Sequence, residues 1–386
     1  MVDLSDSLLL GSMVPLKNRI VMPPITRTRA SEGDVPNELM ATYYGQRASA
    51  GLIIAEATAV APPSRGYALT PGIYTETQRQ GWRLVTDEVH RHGGTIFVHL
   101  WHVGRMAHSS LLPNGEAPWG VTEERAEHSD VFAPGPDGKL DYIRAGTPRR
   151  LRTDENSALV GTFAEAFAHA RQAGFDGVEI HAASGYLFDQ FMNSALNTRT
   201  DRYGGGRVED RTRFLMEVAD AAVREWGPGR LGVRMSPFGR FNSMPADPLV
   251  EETLLYVSEQ MGRHGVAYLH AARALSRSVK PPHQMIAPGN AARTWGKQSA
   301  ADPISQTRTW PSVSAKAGRW RKRTVLLTTP DAERRVTRTF RRIWRHAAPP
   351  RKFQTTASIR SATATHRYVA IIPRKSKSKG RTSRAR

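Results

Sequence analysis

The fold is decided by the stretch Gly174-Phe-Asp-Gly-Val-Glu-Ile-His-Ala-Ala-Ser-Gly-Tyr-Leu-Phe-Asp-Gln-Phe191. Its β-prone run from Val178 to Ile180 ends at His181, and Ser184 and Tyr186 follow at once. A buried strand that delivers such groups into the loop past its C-terminal end is typical of a parallel α/β barrel, which carries its chemistry at that end. We therefore expect an α/β protein whose active site surrounds this loop.

The same alternation of a short apolar strand and an amphipathic helix extends on both sides of this stretch. The other strands are predicted from Arg19 to the Pro23-Pro24 pair, and at 51–58, 95–100, 230–236 and 266–270. Helices are predicted from Asn37 to about Ala50, at 76–92, from about Val160 to Gly174, at 208–226 and at 247–265. Six strand and helix repeats imply a parallel sheet, although a closed barrel of this class needs eight strands. Residues 103–152 are rich in Pro and Gly and are interpreted as a long excursion above the barrel.

The sequence after His270 has a different character. Its apolar runs, 324–328 and 368–372, stand alone among Arg, Thr, Ser and Pro, and no helical stripe joins them. The prediction is a TIM (β/α)8 barrel that is incomplete after its sixth strand. The chain then divides into a barrel over residues 1–270 and a basic tail of low order over residues 271–386.

The charge divides at the same point. The whole chain has a net charge of +20, but residues 271–386 hold 28 Lys and Arg against 3 Asp and Glu. The first 270 residues hold 27 basic and 32 acidic side chains, which is the balance of an ordinary, mildly acidic enzyme. The excess positive charge therefore belongs to the tail and not to the barrel.

Composition also excludes several classes of protein. The chain has no cysteine, which excludes disulfides and Cys-ligated metals. No apolar run approaches the length of a membrane span, and the N-terminus does not resemble a secretory signal. The expectation is a cytoplasmic protein without a metal site and without a membrane partner.

The segment His181-Ala-Ala-Ser-Gly-Tyr-Leu-Phe-Asp-Gln-Phe191 resembles the active-site segment of the Old Yellow Enzyme family, the FMN-dependent ene-reductases. The resemblance covers about residues 4–270. It implies FMN as the cofactor, NADPH or NADH as the reductant, and a small activated alkene as the substrate: an enone, a maleimide or a nitro compound. The family usually carries Asn or His at the position of Ser184, so this residue is a departure.

The resemblance implies a flavin site at the ends of the strands. The residues assigned to FMN are Pro23, Pro24, Thr26, Ala57, His99 and Arg234. Thr26 would bond the flavin O4, and Arg234 would face N1 and O2, where a cation stabilises the reduced, anionic ring. His99 stands where the family usually has Gln; a histidine can still donate to the flavin carbonyls, but its length and protonation differ.

The substrate side is also implied by the resemblance. His181 and Ser184 would grip the carbonyl or nitro oxygen of the alkene, and Tyr186 would protonate its α-carbon after hydride reaches the β-carbon. Ser184 is a shorter donor than Asn or His and would need a bridging water to reach the same oxygen. Tyr67 and Trp101 are predicted to wall the substrate pocket, with a place in the core as the alternative.

The tail lacks the glycine-containing seventh strand and the Gly-Arg-Pro-like eighth strand end that the family uses to hold the FMN phosphate. Our hypothesis is that residues 271–386 are an out-of-frame product, with a genuine disordered basic tail as the alternative. Two functions stay open: an FMN-dependent oxidoreductase impaired by this tail, or an inactive barrel remnant whose tail binds nucleic acid or other polyanions non-specifically. No recognition module for specific nucleic-acid binding is found, and the protein is expected to be a monomer or a homodimer.

Overall fold

The computed structural model describes residues 3–272, 324–327 and 369–371. The strands are β1 Leu8–Leu10, β2 Val14–Leu16, β3 Ile20–Met22, β4 Leu52–Ala59, β5 Ile96–Trp101, β6 Trp119–Gly120, β7 Asp130–Pro134, β8 Leu140–Arg144, β9 Arg149–Arg150, β10 Gly177–Ala182, β11 Leu231–Met235, β12 Tyr268–Ala271, β13 Thr324–Leu327 and β14 Val369–Ile371. The α-helices are α1 Glu38–Gly45, α2 Glu76–Arg91, α3 Thr153–Gln172, α4 Leu187–Met192, α5 Val208–Trp226 and α6 Val250–His264. Among these helices, none is long and apolar enough to cross a membrane.

Local chemistry accounts for the ends of these elements. Strand β3 ends at the Pro23-Pro24 pair, which has no N–H to continue a ladder. Helix α1 begins where the Asn37 side chain accepts a hydrogen bond from the backbone N–H of Met40. Helix α2 begins at a capping box in which Thr75 and Gln78 exchange side-chain and backbone hydrogen bonds. The predicted strands and helices of the first 270 residues are all present, with most ends within a few residues; the largest difference is α3, which begins at Thr153 and not at about Val160.

The barrel strands form a closed ring in the order β3, β4, β5, β10, β11, β12, β13 and β14. The first six are parallel to one another, in agreement with the predicted barrel. Within the described residues, the regular alternation of parallel strand and helix ends at the sixth strand, as predicted, and two further short strands close the ring. Strand β13 pairs in parallel with β12, and β14 pairs in antiparallel fashion with both β13 and β3. The backbones of the two isolated apolar runs thus supply the missing ladders, but the last strand runs opposite to a (β/α)8 pattern. The other predictions for the tail lie outside the described residues.

Side chains alternate between the outer face of the ring, under the helices, and its lumen. The outer faces of the strands pack with α1 to α6 in one large apolar core that includes Val98, Ile180 and Val233. The lower lumen is filled by a second cluster, in which the rings of Phe97 and Tyr268 lie 6.2 Å apart. The hairpin of β1 and β2 contributes apolar side chains to this cluster and closes the bottom of the barrel. Among the described residues, the lumen is therefore closed at the N-terminal ends of the strands, which leaves their C-terminal ends for a ligand.

The excursion between β5 and α3 has more structure than the sequence indicates. It contains the antiparallel hairpin of β7 and β8 and a short parallel pair, β6 with β9. Strand β8 is mostly exposed, so its side chains do not show the alternation that marks a half-buried strand. Buried side chains of this excursion, including Met106, Leu111 and Val131, form a third apolar cluster with Trp101 and Tyr186. The excursion therefore borders the mouth of the barrel.

Candidate active site

His181 and Arg234 lie beside each other at the mouth of the barrel. They are paired in the parallel register of β10 and β11, where the two strands reach their C-terminal ends. The His181 ring centroid is 4.3 Å from that of His99 on β5 and 6.1 Å from that of Trp101, whose ring is nearly parallel to it. The predicted convergence of these strand ends is therefore present. It brings three nitrogen-bearing rings and one guanidinium into a single cleft.

The cleft holds its histidines neutral. Burial lowers the pKa of His181 well below its ordinary value, and the nearby His99 and Arg234 lower it further. Burial also lowers the pKa of His99 to about 4, against an opposing effect of Glu179. Burial lowers the pKa of Arg234 from its ordinary value, although the nearby Glu179 opposes this shift. At neutral pH the cleft therefore presents neutral imidazoles, each with one donor and one acceptor, beside the Arg234 cation.

Tyr186 stands over this group as part of an aromatic cluster. Its ring centroid is 4.9 Å from those of both His181 and Trp101, with nearly perpendicular planes. Its hydroxyl donates to the hydroxyl of Tyr67 at 3.3 Å, and the Tyr67 ring stacks on Trp101 at 5.8 Å. Burial raises the pKa of Tyr186, so that its phenol keeps its proton at neutral pH. Tyr67 and Trp101, which were predicted to line the substrate pocket, thus contact each other and Tyr186.

Ser184 occupies a fixed and unusual turn. Its φ of +60° is in the left-handed region, which serine adopts only at some energetic cost, and Gly185 follows at +74°. The Ser184 N–H donates to Ser236 Oγ at 2.6 Å, and its carbonyl accepts from Asn242 Nδ2 at 2.8 Å. Asp189 accepts from the Gly185 N–H at 2.8 Å and from the Ser236 hydroxyl at 3.2 Å. The turn that carries Ser184 is therefore held by three neighbouring segments.

The residues predicted to back the flavin lie on the other side of the mouth. Pro23 and Pro24 are buried directly after β3, and Thr26 is exposed two residues further along the chain. Ala57 is the register partner of His99 across β4 and β5 and is 4% exposed. Its methyl group is small where an aromatic ring needs space against the backbone. No contact joins Thr26 to the His181 group within the described residues, so its placement in the cleft stays a prediction.

Glu56 supports this side of the mouth and was not singled out in the sequence. It lies at a register shift of β4, fully buried, and its carboxyl accepts from the Arg27 N–H at 2.8 Å and from the Tyr44 hydroxyl at 3.2 Å. Tyr44 in turn accepts from the Glu56 N–H at 2.8 Å. Burial raises the pKa of Glu56 to about 7. Glu56 thus ties α1 and the Thr26 loop to the strand that carries Ala57.

Sequence reasoning also missed Glu179 and Asn242. Glu179 lies on the lumen face of β10, fully buried, between two histidines. Its signal is an acidic side chain inside a buried strand, which requires a partner. Asn242 is close to Tyr186 and to Ser184 only because the loop after β11 folds back over the mouth. No local pattern marks that contact. In the loop after α4, Arg199 pairs with Asp201 and Arg202 pairs with Glu217.

The residues of the mouth fit the ring system of FMN. His99 Nε2, His181 Nδ1 and Arg234 Nε are buried and have no hydrogen-bond partner among the described residues. Such polar atoms are costly unless a ligand or water satisfies them. Together with the small Ala57 they offer hydrogen bonds and a narrow slot, which suits the polar edge of a flat heteroaromatic ring. They offer nothing for its phosphate, and the predicted absence of a phosphate site concerns residues outside the described part of the chain.

Known proteins resemble this chain over most of the barrel. The model of the NADH:flavin oxidoreductase / NADH oxidase family matches residues 6–303. The 12-oxophytodienoate reductase 1 of Oryza sativa subsp. japonica is 44% identical over 258 residues, which cover 66% of this chain and 64% of that protein. The matched part of this chain thus spans slightly less than two thirds of the length of 12-oxophytodienoate reductase 1 and putative 12-oxophytodienoate reductase 2 from rice.

Solved structures also resemble this chain over most of the barrel. Morphinone reductase is 43% identical with a TM-score of 0.68, covering 70% of this chain and 71% of that one. The old yellow enzyme homologue from Zymomonas mobilis is 37% identical with a TM-score of 0.66, covering 70% and 74%. The predicted resemblance is confirmed, although the family match continues past residue 270.

Proposed function

This chain belongs to the NADH:flavin oxidoreductase / NADH oxidase family, and from that premise we propose that its barrel mouth is the active site of an FMN-dependent NAD(P)H oxidoreductase that reduces activated C=C bonds. The observation that carries the proposal is the group formed by His181, Tyr186 and Arg234. It combines neutral donors, a protonated phenol and a buried cation around one cleft. That set suits a reaction in which negative charge develops on a substrate oxygen and a carbon atom must be protonated.

Each side chain has a part in this proposal. His181 and Ser184 hold the carbonyl or nitro oxygen of the alkene and stabilise the charge that develops there. Tyr186 supplies the proton to the α-carbon, because its raised pKa keeps the phenol protonated until the carbanion forms. Tyr67 and Trp101 confine the substrate against this group. FMN, when bound, supplies the hydride, which it obtains from NADPH or NADH.

On the cofactor side, His99, Arg234 and Ala57 would contact the flavin ring, while Pro23, Pro24 and Thr26 would back it. The Arg234 cation favours electron-rich, reduced flavin over the oxidised form. The tail does not carry the family pattern for the phosphate, and we infer that FMN is held chiefly through its ring and is bound weakly. Activity of the isolated chain is accordingly low unless FMN is added in excess.

The test is an anaerobic half-reaction with added FMN. The protein is saturated with FMN, reduced by titration, and mixed with N-ethylmaleimide or 2-cyclohexenone while flavin reoxidation is followed by absorbance. The proposal predicts reoxidation by the alkene that is faster than for free reduced FMN and that decreases in a His181→Ala variant. Bound flavin that the alkene does not reoxidise would contradict it.

The alternative function rests on one observation, the 28 Lys and Arg among residues 271–386. A segment of this charge binds polyanions non-specifically, and the affinity falls steeply with salt. If the chain binds nucleic acid at low salt and bound flavin is inert in the alkene assay, the barrel remnant with a polyanion-binding tail becomes the better account.

A further inference from the structure

The turn formed by Ser184 and Gly185 is bonded to side chains through all four of its backbone polar atoms. Both residues have positive φ, which serine adopts only at some energetic cost. The turn therefore depends on its bonds for its shape. Each N–H and each carbonyl has a different partner, from the loop after β11 or from α4: Ser236, Asn242, Asp189 and Gln190.

Asp189 controls two of these four atoms through one of its oxygens. Its Oδ2 accepts from the Gly185 N–H at 2.8 Å and from the Ser236 hydroxyl at 3.2 Å. That hydroxyl accepts in turn from the Ser184 N–H at 2.6 Å. Because a hydroxyl can donate and accept at the same time, Ser236 connects the carboxylate to Ser184. One carboxylate oxygen thus fixes both N–H groups of the turn, one directly and one through Ser236.

The other oxygen of Asp189 can take up a proton. Within the described residues, Oδ1 accepts no hydrogen bond, and the side chain lines a cavity to which the loop after β11 contributes Arg240 and Asp247 and α6 contributes only uncharged side chains. Burial is the main cause that raises the pKa of Asp189 to about 6; the bonds from Gly185 and Ser236 oppose this shift, and Asp247 adds to it. Hydrogen bonds to a carboxylate are about twice as strong as those to a neutral acceptor. A proton on Oδ1 therefore weakens both bonds at Oδ2.

We propose that Asp189 is a positioning residue for the active-site turn: its carboxylate holds Ser184 in place through Ser236, and its protonation loosens the turn. Resting on the proposed function, the consequence is that alkene reduction slows at mildly acidic pH. The two groups assigned to the substrate beside Ser184 do not change their charge there, because burial lowers the pKa of His181 and raises that of Tyr186.

The turn is observed first without flavin. Ser184-Gly185 is the only Ser-Gly pair in the chain. Cell-free synthesis with carbon-13 in the serine carbonyl and nitrogen-15 in glycine therefore leaves one signal, the Gly185 amide, in an NMR spectrum that selects their shared peptide bond. Its proton should shift upfield as the pH is lowered, with a midpoint of about 6. In Asp189→Asn, whose neutral amide resembles the protonated acid, the signal should not respond to pH.

The consequence is tested in the alkene half-reaction with added FMN. For the natural chain, flavin reoxidation should be about three- to tenfold slower at about pH 5 than at about pH 7.5, since two charge-assisted hydrogen bonds become neutral ones. Asp189→Asn should be slow at both pH values, with rates that agree within about twofold. Asp87→Asn, which removes an exposed carboxylate on α2, is the matched control and should keep the pH dependence of the natural chain.

Ser236 tests the connection between Asp189 and Ser184. Ser236→Ala removes this connection and should slow flavin reoxidation at about pH 7.5 by a similar factor of about three to ten. Ser236→Thr keeps a hydroxyl and should keep most of the rate. Equal losses in the two variants would show that the packing of residue 236 matters and not its hydrogen bonds, which would overturn this part of the inference.

The outcomes separate the inference from the proposed function. A Gly185 signal that does not respond to pH, or that responds equally in Asp189→Asn, overturns the inference. An alkene reaction whose pH dependence is the same in the natural chain and in Asp189→Asn also overturns it. If the Gly185 signal responds as expected but the alkene does not reoxidise bound flavin at either pH, the proposed function fails, while the control of the turn by Asp189 stands.

Discussion

At the scale of single residues, the chemistry of the mouth depends on where protons are held. Tyr186 keeps its proton because it is buried, and His181 is neutral because burial and the nearby Arg234 disfavour a second positive charge. Ser184 has a different constraint, because its backbone is in the left-handed region. Its N–H and its carbonyl oxygen are both hydrogen-bonded, to Ser236 and to Asn242. Two substitutions at these positions separate their roles.

Tyr186→Phe should slow reoxidation of reduced flavin by an alkene by roughly 10²- to 10⁴-fold, the usual range for loss of a general acid. Flavin reduction by NADPH or NADH should be nearly unchanged, because no proton from Tyr186 is needed in that half-reaction. Stopped-flow absorbance measures both steps with added FMN. Tyr256→Phe, on the outer helix α6, is the control and should leave both steps as they are. An equal loss in both steps would assign Tyr186 a packing role instead.

Ser184→Asn should raise the rate of alkene reduction by about one to two orders of magnitude, because the longer side chain can donate to the substrate oxygen without a bridging water. It should also stabilise the fold by about 0.5–1 kcal/mol, since asparagine adopts positive φ more readily than serine. Chemical denaturation and steady-state kinetics measure the two effects. Ser184→Ala is the comparison: slower turnover is expected, without a gain in stability. A loss of stability in the Asn variant would contradict the claim that the positive φ of residue 184 costs energy that asparagine reduces.

At the scale of elements, the strands are joined through a few buried polar groups as well as through their ladders. Glu56 connects α1, β4 and the loop after β3, and Glu179 connects β5, β10 and β12. Gly232 on β11 is the register partner of both Glu179 and Tyr268, and a Cβ atom there would lie 2.2 Å from Cζ of Tyr268. These connections lead to one prediction about pH and one about packing.

Stability should depend on pH through Glu56. Its pKa in the folded chain is about 7, against an ordinary value of 4.5, so the folded state binds this proton more tightly than the unfolded state. The contribution is complete below about pH 4.5 and is lost as the pH rises to about 7, with a total of at most about 3 kcal/mol. Asp189, whose pKa is raised by burial to about 6, adds to the same trend. The difference between the natural chain and Glu56→Gln isolates the first group.

Urea denaturation at several pH values across this window measures that difference. The free energy of unfolding of the natural chain should exceed that of Glu56→Gln most at the acid end of the window, and the difference should decrease toward neutral pH. A difference that is constant with pH would mean that Glu56 has the same pKa in both states.

Gly232→Ala should destabilise the barrel by about 1–3 kcal/mol, as expected when a methyl group is forced into a packed interior. Gly161→Ala is a matched control, because Gly161 is exposed within α3 and a Cβ there meets nothing within 4 Å. That substitution should be neutral or stabilising by up to about 1 kcal/mol. Thermal or urea unfolding compares the two variants. Equal effects would show that the lumen has more room over β11 than these distances indicate.

The sequence predicts the elements better than the contacts between them. Strands that end in polar groups, such as the run ending at His181, and helices with clear caps, such as the one begun by Asn37, are local patterns and were placed to within a few residues. Asn242 joins the site through a loop fold that no local pattern encodes. The hairpin of β7 and β8 was missed because its second strand is exposed and lacks alternation. Glu179 had a visible signal, a charge in a buried strand, whose partners become clear only in the closed ring.

At the scale of the whole molecule, the chain combines an ordinary barrel with an extreme tail. Residues 1–270 carry the described cleft and a slight excess of acidic side chains, and residues 271–386 carry all of the excess positive charge. The ring is closed by strands β13 and β14, but β14 runs antiparallel to both neighbours, which differs from the parallel arrangement of the other strands. The charge contrast and the reversed strand are consistent with our hypothesis that the tail is out of frame, which the nucleotide sequence of the gene will test.

This division leads to our central proposal, that the described residues would hold the flavin by its ring and that, among them, no fixed site for its phosphate is present. The cationic tail attracts FMN at low ionic strength, but such attraction is screened when salt shortens the Debye length to about 3 Å at 1 M. The most direct measurement compares the dissociation constants of FMN and riboflavin, which lacks the phosphate, for the full chain at low salt and at 1 M salt. The account predicts that both flavins bind and that, at high salt, their affinities agree within about threefold. FMN that binds a hundredfold or more tightly than riboflavin at high salt, or that stays bound in stoichiometric amount through a high-salt column, would contradict it.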